Sequence, residues 1–382
     1  MGKQSRRPAG RGLQRLAFEH VRAPTREMAP TQNPIINRPE HGKIDDAALR
    51  KVEDAAIKTL VKQQEDAGLR GVSDGEFRRE YFHLDFLKHL GGVTISKNKL
   101  VEKDKADAAP PQLTVTGKLK HVKPVQVDDY LFVKSCLSHT KSEVKVAIPS
   151  PTMVHFRGGR ASIDIESYPN IDEFFEDLAA VYREEIAQLA KAGCKYIQLD
   201  DTNLAYLCSD EMRAAAEARG EDVQQLPKQY AALINAALRD KPADMTAAIH
   251  LCRGNFRSRH FAAGGYEPVA EVLLKELNVD AYLLEYDDER SGGFEPLRHL
   301  PKGHKTIHLG LISTKTSKLE DKQEVIARIR EAAKFAPLEQ LSLGPQCGFA
   351  STVHGNEITD EVQWAKIKLC QEIVEEVWGK QE

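Results

Sequence analysis

Short apolar runs recur along this chain with a helical stretch between one and the next, and that alternation narrows the fold more than any other feature. The runs fall at residues 69–72, 144–148, 196–199, 245–251, 281–285, 306–311 and 340–343, and a first strand is expected near 16–21. They are almost continuously apolar, which is how strands buried on both faces read. The intervals between them leave room for a crossover helix each time. Eight such units predict a closed parallel barrel, the (β/α)8 or TIM-barrel fold. A doubly wound open sheet is the competing architecture, but no glycine-rich phosphate turn follows the first strand.

The helices announce their own ends. Residues 45–67 repeat apolar positions at three and four spacing, with Asp45 and Asp46 as cap candidates and Gly68 beyond the last turn. Residues 171–192 repeat the pattern and stop at Gly193, and 320–336 stops before Pro337. Two segments exceed a minimal barrel. Pro24, Pro30, Pro34 and Pro39 make much of the stretch up to residue 44 an extended N-terminal arm. Residues 92–143, between the second and third strands, contain the alternating Leu113-Thr114-Val115-Thr116-Gly117-Lys118-Leu119, read as a β-hairpin insertion folding over the barrel mouth. The expected organisation is a flexible basic tail over residues 1–15 (Lys3, Arg6, Arg7, Arg11, Arg15) and one catalytic domain over 16–382.

Composition removes several functions. The net charge of −3 offers no basic surface for nucleic acid. No run approaches the ~18 apolar residues of a membrane helix, and the first residues lack an apolar signal core. The six cysteines are widely scattered in a large chain, which fits a reduced, cytoplasmic protein rather than a disulfide scaffold.

Against that background Ile249-His250-Leu251-Cys252 stands out at the end of the fifth strand. Residues two apart on a strand point to one side, so His250 and Cys252 converge at the end of the strand where barrel active sites lie. On its own the pair also describes a core histidine beside a buried thiol. Glu285 closes the apolar run Ala281-Tyr282-Leu283-Leu284, where a carboxylate must find a cation or donors. Cys347 follows the eighth strand in Gly344-Pro345-Gln346-Cys347-Gly348-Phe349. One imidazole, two thiolates and one carboxylate suit tetrahedral Zn2+, and their separation in sequence excludes a zinc finger.

These stretches carry a family resemblance. The chain resembles the catalytic barrel of cobalamin-independent methionine synthase, and more closely its short, single-barrel relatives. The matching segments are Ser73-Asp74-Gly75-Glu76-Phe77, Tyr196-Ile197-Gln198-Leu199-Asp200, His250-Leu251-Cys252, and Leu284-Glu285-Tyr286-Asp287-Asp288-Glu289-Arg290-Ser291-Gly292. Leu309-Gly310-Leu311 with Lys315 and Gln346-Cys347-Gly348-Phe349 complete the set, in the family's order, over roughly residues 16–380. The resemblance implies a (β/α)8 fold, zinc held by His250, Cys252, Glu285 and Cys347, and methyl transfer to a substrate thiol, a homocysteine-like acceptor in methionine biosynthesis or a related thioether.

Charge assigns a role to one ligand. Zinc with Cys252, Cys347 and Glu285 sums to 2 − 3 = −1, and an arriving thiolate makes it −2 unless a ligand leaves; Glu285 is the candidate to yield. In the resembled family the acids matching Glu76 and Asp200 hold the substrate amino group; helix capping or support of His250 is the other reading for both. Where longer members carry Gly-Ser after the first strand, this chain has His20-Val21-Arg22-Ala23-Pro24. Arg22 is a cation suited to a carboxylate, a sulfonate or a phosphate, or to solvent. The family's histidine after the seventh strand has no counterpart. Lys315 stands there instead, the form typical of the short relatives, as a candidate donor to a leaving group or an anionic cofactor, or as a solvated lysine. The methyl donor is a folate, a methylated corrinoid protein or a smaller molecule. An epoxide–thiol transferase and a non-catalytic zinc- or thiol-binding barrel are the rival functions, and a homo-oligomer is compatible with all three. Asp287, Asp288 and Glu289 are expected to be solvated or paired with Arg290 and Arg298. Cys136, Cys194, Cys208 and Cys370 read as inert thiols.

Overall fold

The computed structural model describes residues 45–96, 111–254, 261–349 and 358–379. Nine strands are found among them: β1 (Gly71–Val72), β2 (Leu90–Ser96), β3 (Gln112–His121), β4 (Glu143–Pro149), β5 (Tyr196–Asp201), β6 (Thr246–Leu251), β7 (Ala281–Glu285), β8 (Thr306–Ile312) and β9 (Leu341–Pro345). The helices are α1 (Asp46–Asp66), α2 (Leu84–Leu87), α3 (Val127–Cys136), α4 (Ile171–Ala192), α5 (Asn203–Tyr206), α6 (Asp210–Ala218), α7 (Leu226–Leu238), α8 (Glu267–Glu271), α9 (Lys322–Ala332) and α10 (Asp360–Trp378). Seven strands form one all-parallel sheet in the order β1-β4-β5-β6-β7-β8-β9, so the chain is α/β, with an α-helix between successive strands except β7 and β8, which short 3-10 turns connect. The strand expected at 16–21, the basic tail and Arg22 lie outside the described residues.

Local chemistry places the helix ends where the sequence put them. The Asp45 carboxylate accepts from Ala48 N at 2.7 Å and opens α1, and Asn170 does the same for Asp172 N at 3.0 Å in α4. Gly193 closes α4 in the left-handed conformation at φ 98°. α9 runs only over Lys322–Ala332, inside the predicted 320–336, because Asp321 is the cap that accepts from Gln323 N and Glu324 N.

The sheet curls strongly. Cys252 follows β6 and Cys347 follows β9, three strand spacings apart, or about 14 Å in a flat sheet; their sulfurs are 3.0 Å apart. The first and last helices also meet, since Gln371 on α10 donates to the Ala67 carbonyl beyond α1. The main core fills the space between the sheet's outer face and the helices. A smaller cluster of Ala248, Ala281 and Leu283, with Tyr196 against it, occupies the inner face. Buried polar groups share that interior, including Lys145, Gln198, His308 and Ser342.

The insertion differs from expectation in two ways. Residues 113–119 form one strand, not a whole hairpin. β3 pairs antiparallel with β2, whose Gly91 and Gly92 blur the alternation that would have marked it in sequence. β3 packs along α4 and against the turns Pro151–Val154 and Gly159–Ser162 that follow β4. α3, inside the predicted insertion, is a crossover helix packed against α1, α4 and β4.

Candidate metal centre and substrate pocket

His250 sits at the end of β6, Glu285 ends β7, and Cys252 and Cys347 lie just beyond β6 and β9. Parallel register carries these positions to the same edge, pairing Asp200 with His250, His250 with Leu283, and Glu285 with Gly310. One ligand atom from each of His250, Cys252, Glu285 and Cys347 can be chosen so that all lie within 4.8 Å of one another. Glu285 is fully buried and Cys252 half-buried. Cys347 Sγ donates to Glu285 Oε1 at 2.7 Å, and the His250 Nδ1 edge lies 3.3 Å from the Leu283 carbonyl. The close approach depends on Gly310. A Cβ there would stand 2.8 Å from the Leu284 carbonyl oxygen and 3.4 Å from Glu285 Cα.

The donor set fits a divalent zinc-like ion. Two soft sulfurs, an imidazole and a carboxylate converge, and the second carboxylate oxygen of Glu285 is buried with no hydrogen-bond donor among the described residues. Burial pushes the Cys347 thiol well above its ordinary range, its neighbours Cys252 and Glu285 add to that, and Lys315 opposes it. Burial alone would raise the Glu285 carboxyl, but Lys315, His250, the Cys347 hydrogen bond and Arg290 outweigh it and hold it below the usual range. Lys315 is likewise buried, and Glu285, Cys347 and Asp287 overcome that burial to keep it charged. Its ammonium donates to Gln346 Oε1 at 2.9 Å and stands 3.9 Å from Glu285 Oε2. Arg290 lies 3.7 Å from the same oxygen and pairs with Asp287 at 2.9 Å and Asp288 at 2.7 Å.

Two further acids are Asp200, on the end of β5 beside β6, and Glu76, in the turn after β1. Asp200 is buried and accepts from Gln198 Nε2 at 2.6 Å, and Gln198 in turn accepts from Lys145 at 2.9 Å. Asp201 turns away and holds Thr152 Oγ1 and Leu204 N, a structural duty. Glu76 is buried at φ 55°, the sole non-glycine residue with positive φ among those described. The Asp74 carboxylate pins its backbone by accepting from Glu76 N at 2.9 Å.

In the sequence Arg290 reads only as a partner for its neighbouring acids, Gln346 carries no role, and Phe77-Arg78-Arg79-Glu80-Tyr81-Phe82 reads as enclosing the substrate rather than as a nucleic-acid surface. The signal for Arg290 was its spacing from Glu285; Gln346 adjoins Cys347; Arg79 is three residues past Glu76. Arg298 pairs with Glu267, not with the acids of the 287–289 loop. All six cysteines are free thiols. No described helix is long and apolar enough to cross a membrane.

Comparison with known proteins matches this geometry to a family. The sequence profile described as "Cobalamin-independent synthase, Catalytic domain" matches residues 33–366. An uncharacterised protein of Bacillus subtilis (strain 168), YxjH, is 42% identical over 338 residues, 88% of each chain. A methionine synthase of Sulfurisphaera tokodaii is 26% identical over 307 residues, 80% of this chain and 78% of its own. Among solved structures, a Listeria monocytogenes protein assigned as a vitamin-B12-independent methionine synthase superposes with a TM-score of 0.74 at 36% identity, over 94% of this chain and 97% of that one. A B12-independent methionine synthase from Shewanella sp. W3-18-1 shares the fold, with a TM-score of 0.66 at 23% identity, over 88% and 90% of the two chains. The profile spans most of the chain, and the chain therefore belongs to the cobalamin-independent methionine synthase family, as its catalytic domain.

Proposed function

We propose that this chain is a zinc-dependent methyltransferase that moves a methyl group to the thiol of homocysteine or a close analogue, within a (β/α)8 barrel. The observation that carries the reading is the convergence of His250, Cys252, Glu285 and Cys347 at the strand ends. The curled sheet and the contact between α10 and the end of α1 support closure.

Zinc held by these four residues would deprotonate the incoming thiol and keep its sulfur nucleophilic at neutral pH. The residues around it do the rest. Glu285 is the ligand that yields, because Lys315 and Arg290 face its second oxygen and can receive the carboxylate as it turns away. Glu76 and Asp200 hold the substrate amine, Arg22 its carboxylate, and Lys315 donates toward the methyl donor's leaving group. In the reaction the thiol loses its proton, a carbon–sulfur bond forms as the donor–methyl bond breaks, and the electron pair leaves with the donor.

A screen of thiol acceptors on zinc-loaded protein against methyl-folate, methyl-corrinoid and simple methyl donors, with an epoxide as the rival electrophile, tests this. Thioether formation from homocysteine and a methyl donor supports the reading. Product from the epoxide alone reassigns the enzyme as a thiol–epoxide transferase. Stoichiometric zinc whose affinity no thiol perturbs removes the enzymatic reading.

A further inference from the structure

Arg79 is buried, and its guanidinium is shared between two side chains. Nη1 donates to Glu76 Oε1 at 3.1 Å and Nη2 donates to Gln126 Oε1 at 2.9 Å. The Gln126 end is itself anchored. The fully buried carboxylate of Glu185 on α4 accepts from Gln126 N at 2.8 Å and Val125 N at 2.9 Å, and lies 2.7 Å from His121 Nε2 at the end of β3. A continuous chain of bonds thus runs from the base of the hairpin through Glu185, Gln126 and Arg79 to Glu76. It ends on a left-handed non-glycine residue, a conformation that persists only where its surroundings impose it. Burial works against the Arg79 charge, and Glu76, Asp74, Asp200 and Asp129 overcome it. Asp129 is engaged by Arg78. Lys145 bonds to Gln198 Oε1, one side chain removed from Asp200.

Two buried acids without a cation would carry −2, and one of them would take up a proton. Arg79 opposes that at Glu76, holding its carboxylate in place at 3.1 Å. We propose that Arg79 is a specificity-determining positioning residue: it fixes the Glu76 carboxylate so that the site selects thiols bearing an ammonium group over thiols without one. The inference rests on the reading above that Glu76 and Asp200 face the substrate amine.

Calorimetry on the zinc-loaded full-length chain measures binding of homocysteine and of 4-mercaptobutanoate, which lacks only the amino group, without need for turnover. The wild type should favour homocysteine. Arg79→Met should cut that preference at least tenfold, through loss of homocysteine affinity, with 4-mercaptobutanoate moved less than threefold and zinc content unchanged. Arg79→Lys should restore part of the preference, which a merely structural role would not do. A preference within twofold of wild type in folded Arg79→Met overturns the inference while leaving the amine reading intact. If Arg79→Met fails to fold, Gln126→Leu must lower the preference at least threefold, and an unchanged ratio there overturns it equally. A wild type that binds both thiols alike overturns the amine reading, and this inference with it.

Discussion

Lys315→Met removes one of the two cations that face the second oxygen of Glu285. The ammonium stands 3.9 Å from that oxygen, both groups being buried. Unit charges at this separation attract by about 4 kcal/mol at an effective dielectric of about 20. Arg290, at 3.7 Å, takes up part of the loss, and the methionine no longer carries a desolvated charge. The net penalty on the carboxylate turned away from the metal is then about 1.5–3 kcal/mol, a factor of roughly 10–100. That state is the one in which a thiol can enter. Zinc should therefore stay stoichiometric while homocysteine affinity falls by roughly 10–100-fold, the change being worked from the pair above. Zinc K-edge absorption reads the same event structurally: a third sulfur should replace a light ligand in wild type and do so only at much higher thiol concentration in the variant. Homocysteine affinity within threefold of wild type, with zinc retained, would refute the release of Glu285 onto these cations.

Cys347→Ser should lose stoichiometric zinc, and full metal content would remove Cys347 from the site. Because burial holds the Cys347 proton on well above its usual range, metal must displace that proton. Zinc affinity should therefore rise with pH by roughly tenfold per unit per displaced proton, and a flat profile from pH 6 to 8 in a competition titration contradicts this. His308 is held neutral in the fold, its pKa lowered to about 3 by burial and by Lys145. The unfolded chain binds that proton near pH 6.5, so stability is lost as pH falls from there toward 3, by about 1.4 kcal/mol per unit. Urea midpoints of His308→Asn should show a shallower acid slope than wild type. Gly310→Ala places a Cβ 2.8 Å from the Leu284 carbonyl oxygen. We expect a cost of about 1–3 kcal/mol in thermal unfolding together with weakened zinc binding, since the strand end carrying Glu285 must shift.

Much of this arrangement was readable before any coordinates. Strands buried on both faces, such as β6 through β9, announce themselves by unbroken apolar runs, and the period of two put His250 and Cys252 on one side. Glu285 stood out because nothing in Ala281–Leu284 could satisfy it. Pairings across distant sequence were not readable. That Arg79 grips Glu76 and Gln126 at once depends on α3 arriving beside α1 and β4, and Glu185 acts from a different helix altogether. α3 was absorbed into the insertion because only Tyr130 and Val133 are buried on it, too narrow an apolar stripe to reveal a crossover helix. The hairpin was misread because its first arm is interrupted by two glycines and its partner comes after 15 intervening residues, 97–111.

Cys252 and Cys347 are 95 residues apart, and they meet only because the sheet curls. An unfolded chain therefore offers a metal no ready chelate, unlike a zinc finger whose ligands cluster along the sequence. The Glu285 and Asp287 carboxylates face Lys315 and Arg290, cations drawn from the loops after β7 and β8. Any change that opens the curl between β6 and β9 separates the two sulfurs and leaves only His250 and Cys252 together at one strand end.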